Sequence, residues 1–159
     1  MGTLAYRESQ PGKQSEMCVL SQPTNLARIA EFVGSQARRA GLDEDAVYDI
    51  QMAVDEACTN SMNHAYEGQG DGLVSVCCYE DETDFVVSVT DHGRAFDPGT
   101  VPEPRLNAPL EEREIGGLGL YLMRKLVDRI EFSSDKMLGN RVVMRKHRKV
   151  RPSGCQSPE

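Results

Sequence analysis

The chain has 159 residues, 39% apolar and 27% charged, and a formal net charge of −7. That length suits one domain with a two-layer core, and the acidic balance argues against nucleic acid as the main partner, because phosphate contacts need a clustered positive surface. No apolar run nears the roughly 18 residues of a membrane span, and the polar start lacks the apolar middle of a secretion signal, so the expected location is the cytoplasm.

Residues 1–15 carry Gly, Pro, Ser and Gln with little periodicity and read as a flexible N-terminal segment; 16–147 read as the domain, and 148–159 as a flexible tail. Met17 to Leu20 predict a short strand. Pro23 and Thr24 then open a helix in which Leu26, Ile29, Ala30, Val33 and Ala37 recur at helical spacing, and Gly41 stops it. Asp43 is placed to cap a second helix, through Val47, Ile50 and Val54 to about Tyr66, before Gly68, Gly70 and Gly72 break the pattern. Leu73 to Tyr79 and Phe85 to Thr90, joined by the polar turn Glu80 to Asp84, read as a β-hairpin.

About 25 residues with four prolines follow, a length that marks a functional cover or disorder. Gly116-Gly-Leu-Gly-Leu120 leads into a helix carrying Leu120, Met123, Leu126 and Val127. Ile130 to Ser133 and Val142 to Met144 are the last strands, with a turn at Gly139 and Asn140. The order β-α-α-β-β-loop-α-β-β predicts a two-layer α/β sandwich of the α+β kind, a mixed, mostly antiparallel sheet with helices on one face.

Five cysteines form an odd set, and adjacent Cys77 and Cys78 fall on opposite faces of a strand; they read as reduced core thiols. Three histidines with no CxxC or HExxH spell no zinc pattern, so a metal is expected to arrive with a ligand. The basic run Arg145 to Arg151 reads as solvated.

Three motifs carry the chemistry. On the second helix, Glu56, Asn60 and Asn63 fall within an arc of roughly 60° at 3.6 residues per turn, apart from the core face of Val47, Ile50, Val54, Ala57 and Ser61. A carboxylate and a carboxamide four positions apart can share one ligand: the first takes a proton, the second offers a neutral oxygen to a hard cation such as Mg2+. An ordinary solvated helix flank has the same spacing. Next, Asp91-His-Gly-Arg-Ala-Phe-Asp-Pro98 follows a Val-rich strand. Asp91 can accept from an exocyclic amine while Gly93 lets the backbone pass close to a flat ring; a plain turn uses the same residues. Last, Gly116, Gly117 and Gly119 precede a helix whose free N–H groups can surround phosphate, although a loop entering a helix also favours glycine.

ExxxN on a helix, DxG after a strand and a proline-rich cover ending in GGLGL together resemble the GHKL ATPase superfamily and its Bergerat ATP-binding fold. The wording EACTNSMNHAY and GLGLYLMRKLVD is most similar to the bacterial anti-sigma factor serine/threonine-protein kinases, over roughly residues 17–146. The resemblance implies that Glu56 is the general base and that Asn60 coordinates Mg2+ for ATP. Asn63 and His64 then line the same pocket, Asp91 reads the adenine amine, Gly93 passes beside the base, and Ala95 and Phe96 continue that segment. The loop from about Asp97 to Ile115 becomes the ATP lid. Gly116, Gly117, Leu118, Gly119 and Leu120 wrap the phosphates, and either Arg105 or Arg113 could approach the γ-phosphate.

Two departures stand out: Ala95 replaces the second glycine of the usual DxGxG, and Arg141 follows Asn140 where a small hydroxyl residue is usual. The implied activity is ATP-dependent phosphorylation of a serine or threonine on a STAS-type anti-sigma factor antagonist, by a homodimer that also binds an alternative sigma factor. The alternative is an ATP-binding conformational switch without transfer. A sensor histidine kinase is disfavoured, since the chain has no room for a dimerisation helix pair and His64 lies within the ATP helix.

Overall fold

The computed structural model describes residues 3–7, 14–95, 97, 99 and 117–149. Six strands, β1 (Thr3–Arg7), β2 (Ser15–Leu20), β3 (Leu73–Glu80), β4 (Asp84–Asp91), β5 (Arg129–Asp135) and β6 (Gly139–His147), form one sheet in the order β1-β2-β3-β4-β6-β5. Three helices, α1 (Leu26–Arg39), α2 (Glu44–Asn60) and α3 (Gly117–Leu126), complete the two layers. Every pairing among the described residues is antiparallel, so the mostly antiparallel sheet expected from the sequence contains no parallel pair there. Thr3–Arg7, which composition assigns to a flexible end, pairs with β2 as an edge strand.

Alternation along the strands sends Met17, Val19, Val74, Val76, Cys78, Phe85, Val87, Val89, Val142 and Met144 to the helix-covered face. They meet Ile29 and Val33 of α1, Ile50 and Val54 of α2, and Leu120 and Met123 of α3 in one core. Each such fully buried aliphatic side chain contributes about 1.5–3 kcal/mol. Cys77 is buried outside that cluster, across the strand from Cys78. Cys18, Cys58, Cys77 and Cys78 are free thiols, and burial pushes the thiols of Cys58 and Cys78 well up.

The helix ends follow the capping chemistry. Gly41, at φ +91°, closes α1: its N–H donates to Arg38 O and that of Leu42 to Ala37 O, the pairing that left-handed glycine permits after a helix. Asp43 Oδ1 then accepts from Ala46 N at 2.9 Å and starts α2. At its far end α2 does not stop but widens into a single π-turn over Ser61–Ala65, closed by Tyr66 N donating to Ser61 O. Widened turns of this kind displace the following side chains around the axis, and here they face the ends of β4 and β6.

Candidate active site

An open cavity lies where the π-turn meets the ends of β4, β5 and β6. Ala57, Val89, Met123, Phe132 and Val142 give it apolar walls, and Asn60, Ser61, His64, Asp91, Arg94, Ser133, Asn140 and Arg141 supply polar groups. A flat apolar slot with a few fixed polar atoms is the usual form of a small-molecule site.

Asp91 sits at its floor, only 6% exposed. Its Oδ2 accepts from Ser61 Oγ at 2.7 Å; its Oδ1 accepts from Asn140 Nδ2 at 2.7 Å and from Gly93 N at 3.1 Å. A buried carboxylate is tolerated only when donors surround it, and here three neutral donors do so. The cross-strand register sets Asp91 opposite Asn140. Gly139, at φ +85°, makes the tight turn before Asn140; a Cβ there would lie 2.3 Å from Asp91 O.

Gly93 is required by a neighbour within the protein itself. A Cβ on it would lie 2.4 Å from Ala65 O, and Arg94 N donates to that same carbonyl at 2.8 Å. Glycine therefore locks the β4 exit onto the π-turn. Ala95 carries no backbone strain: Glu67 is the only non-glycine with positive φ among the described residues. Tyr66 ties the rim together, its hydroxyl donating to Leu73 O at 2.7 Å and accepting from His92 N at 2.8 Å.

One turn before Ser61, the opposite design holds. Glu56 and Asn60 are half-buried and make no hydrogen bond or ion pair with the described residues. Burial, and secondarily the neighbouring Asp55, lifts the Glu56 carboxyl above the ordinary carboxylate range. A carboxylate so placed is a better proton acceptor near neutral pH than an exposed one. The start of α3 passes against it: a Cβ on Gly119 would stand 2.7 Å from Glu56 Oε2. Among the described residues no cluster of three or more His, Cys, Asp or Glu could cage a metal ion. The lone carboxamide of Asn60 instead suits a hard cation that brings phosphate oxygens and water with it.

The predicted site residues thus divide. Asn60, His64 and Asp91 come together on the cavity wall, with Glu56 one turn back against Gly119. Asn63 does not join them: the π-turn puts His64 and Ala65 on the wall and leaves Asn63 exposed outside it. Gly117 begins α3 and Leu118 follows within it. The Leu120 side chain is buried in the core, which leaves only its backbone for a ligand. Phe96, Arg105, Arg113 and Gly116 lie outside the described residues. Ser61 and Asn140 are polar groups of the site that helical periodicity and motif reading assign elsewhere, Ser61 to the core face and Asn140 to a turn. Arg141 contributes to the wall, but its guanidinium reaches Ser88 Oγ at 3.5 Å instead of Asp91.

A family profile described as a histidine kinase-like ATPase domain matches residues 19–146. Among similar proteins, the serine-protein kinase RsbW of Halalkalibacterium halodurans is 35% identical over 124 residues, 76% of this chain and 75% of its own. RsbW of Listeria monocytogenes is 38% identical over 117 residues, 70% and 72% of the two chains, and RsbW of Bacillus velezensis is 32% identical over 136 residues, 83% and 84%. The profile spans most of the chain, so the chain belongs to the histidine kinase-like ATPase domain family, which makes ATP its nucleotide, and stands beside the RsbW serine-protein kinases.

Proposed function

We propose that the protein is an ATP-dependent serine/threonine-protein kinase and anti-sigma factor, its domain spanning residues 16–147. The observation that carries this reading is the half-buried Glu56, its carboxylate without a partner among the described residues, one helical turn from Asn60 and pressed against the glycine start of α3. In this reading Asp91 accepts from the adenine 6-amino group at the bottom of the slot. The free N–H groups at the start of α3 receive the phosphates, and Asn60 offers its carbonyl oxygen to Mg2+, which neutralises charge on the triphosphate when bound.

Glu56 then takes the proton of a serine or threonine hydroxyl as that oxygen bonds to the γ-phosphorus and the bond to the β–γ bridging oxygen breaks, releasing ADP. Phosphoryl transfer rests mainly on such positioning, and a site with one basic carboxylate and little else reactive suits it. The substrate is a STAS-type anti-sigma factor antagonist and the second partner an alternative sigma factor, held by a homodimer in the cytoplasm. The similar proteins are serine-protein kinases, which supports the transfer step. No helix among the described residues is long and apolar enough to cross a membrane.

The test is transfer of label from γ-labelled Mg-ATP to a purified STAS-type antagonist, followed by mapping of the modified residue. Label on a serine or threonine is the expected result. A folded chain that binds ATP and transfers none to any such antagonist overturns the kinase reading.

A further inference from the structure

We propose that Asn140 and Ser61 are positioning residues that set base selectivity, by fixing the Asp91 carboxylate so that a single acceptor position faces the slot. This rests on the nucleotide reading of the cavity and concerns two residues to which that reading gives no role. An ionised carboxylate has about four acceptor positions. Gly93 N and Asn140 Nδ2 occupy those of Oδ1, and Ser61 Oγ occupies one on Oδ2. One acceptor on Oδ2 is left, beside apolar walls that include Val89 and Phe132.

The orientation of the Asn140 amide is set by its surroundings. Its nitrogen faces three oxygens, Asp91 Oδ1 at 2.7 Å, Gly93 O at 3.1 Å and Arg94 O at 3.2 Å, while its oxygen accepts from Ser134 Oγ at 2.8 Å. Turning the amide over would aim an oxygen at three acceptors and lose all three of those bonds, whereas the Ser134 hydroxyl could pair with either end. Asn140 thus holds the carboxylate and the Gly93–Arg94 turn at once. Neither Oδ1 nor the plane of the carboxylate is free to adapt to a ligand.

The chemical consequence is a filter for position 6 of a purine. A 6-amino group presents a donor to the open acceptor, whereas a 6-oxo group presents lone pairs to it, and an acceptor-only site rejects the mismatch because its own charge is then left unpaired. With Asn140 or Ser61 removed, the carboxylate can turn and the penalty against the 6-oxo base weakens.

The experiment compares binding of ATP with that of ITP, which carries a 6-oxo base on the same triphosphate, by calorimetry on the full chain. Wild type should prefer ATP. Asn140→Ala should lower the ATP/ITP affinity ratio about tenfold or more, the scale of one hydrogen bond to a charged group. Ser61→Ala should move the ratio in the same direction, and Asn140→Ser, which keeps one donor, should fall between. Melting without nucleotide identifies any variant that has lost its fold, and the other two then decide. ATP and ITP weakened by one common factor, or an unchanged ratio, overturns the positioning role while the nucleotide reading stands. A wild-type chain that binds neither nucleotide overturns both.

Discussion

Two polar groupings at and beside the cavity are built on opposite principles. Asp91, the base-reading end in the proposed function, is buried and nearly saturated, held by Ser61, Asn140 and Gly93. The side chains of Glu56 and Asn60, the reactive end in that proposal, are half-buried and left without partners among the described residues. A group that must read a shape gains from having all but one of its bonds made in advance, since little rearrangement is left for binding. A group that must take a proton gains from having none, because each hydrogen bond to its charged form would lower its basicity. One helix supplies both ends, with the π-turn at Ser61–Ala65 marking the change between them.

The sharpest way to separate the ends is to remove the reactive one. Glu56→Gln keeps the shape and abolishes the basic site, so phosphoryl transfer should fall by about 10²–10⁴, the range of one positioned general base, while ATP affinity stays within a few-fold. Single-turnover transfer and a binding titration on the same preparation measure the two quantities. Equal losses in both would show that Glu56 acts in binding and erase the contrast. Asp91→Asn should do the reverse: ATP affinity falls about 10–100-fold, from loss of a charge-assisted bond, and transfer at saturating ATP changes much less. An intact affinity in that variant would remove Asp91 from the base-reading role.

Most of the frame behind this contrast is legible from residue patterns. Asp43 and Gly41 mark real helix ends, the Val-rich hairpin is where alternation puts it, and Asp91 stands at a strand end beside the cavity. The misses share one cause, which is that local pattern does not encode displacement along the chain. A 3.6-residue period carried through the π-turn assigns Asn63 to the site and Ser61 to the core face; Ser61 is buried as that face requires but also bonds Asp91, and the widened turn leaves Asn63 off the cavity wall. Asn140 meets Asp91 through a cross-strand register spanning 49 residues, which nothing in Gly139-Asn140 announces beyond a turn. β1 hides because five residues of mixed character among Gly, Pro, Ser and Gln resemble a chain end until β2 offers an edge.

Two glycines, one beside Asp91 and one against Glu56, offer a finer comparison. Gly93 meets backbone, so a Cβ at 2.4 Å from Ala65 O forces the β4 exit off the π-turn. Gly93→Ala should cost about 1–3 kcal/mol, the range of an overpacked contact, and lower the melting temperature by several degrees. Gly119 meets the far end of a flexible side chain, Glu56 Oε2 at 2.7 Å, inside a helix. Gly119→Ala gains up to about 1 kcal/mol of helix propensity and must push Glu56 aside. Its melting temperature should hold or rise while transfer slows. A loss of stability without a loss of rate would mean that Glu56 is not seated against α3 during the reaction.

The smallest expected effect probes why Glu56 is basic. Burial raises its pKa first and Asp55 second, so the two causes are separable by charge. A general base works deprotonated, so transfer should decline as pH falls through the raised pKa. Asp55→Asn removes the repulsive neighbour, eases ionisation of Glu56 and should move the acid limb of the pH–rate profile to lower pH, while the burial contribution keeps it above the position of an exposed glutamate. The nucleotide-binding profile should not follow, because Asp55 is not among the residues that line the cavity. An acid limb that stays in place would leave burial alone to tune Glu56, and a loss of transfer at every pH would transfer the basic role to Asp55.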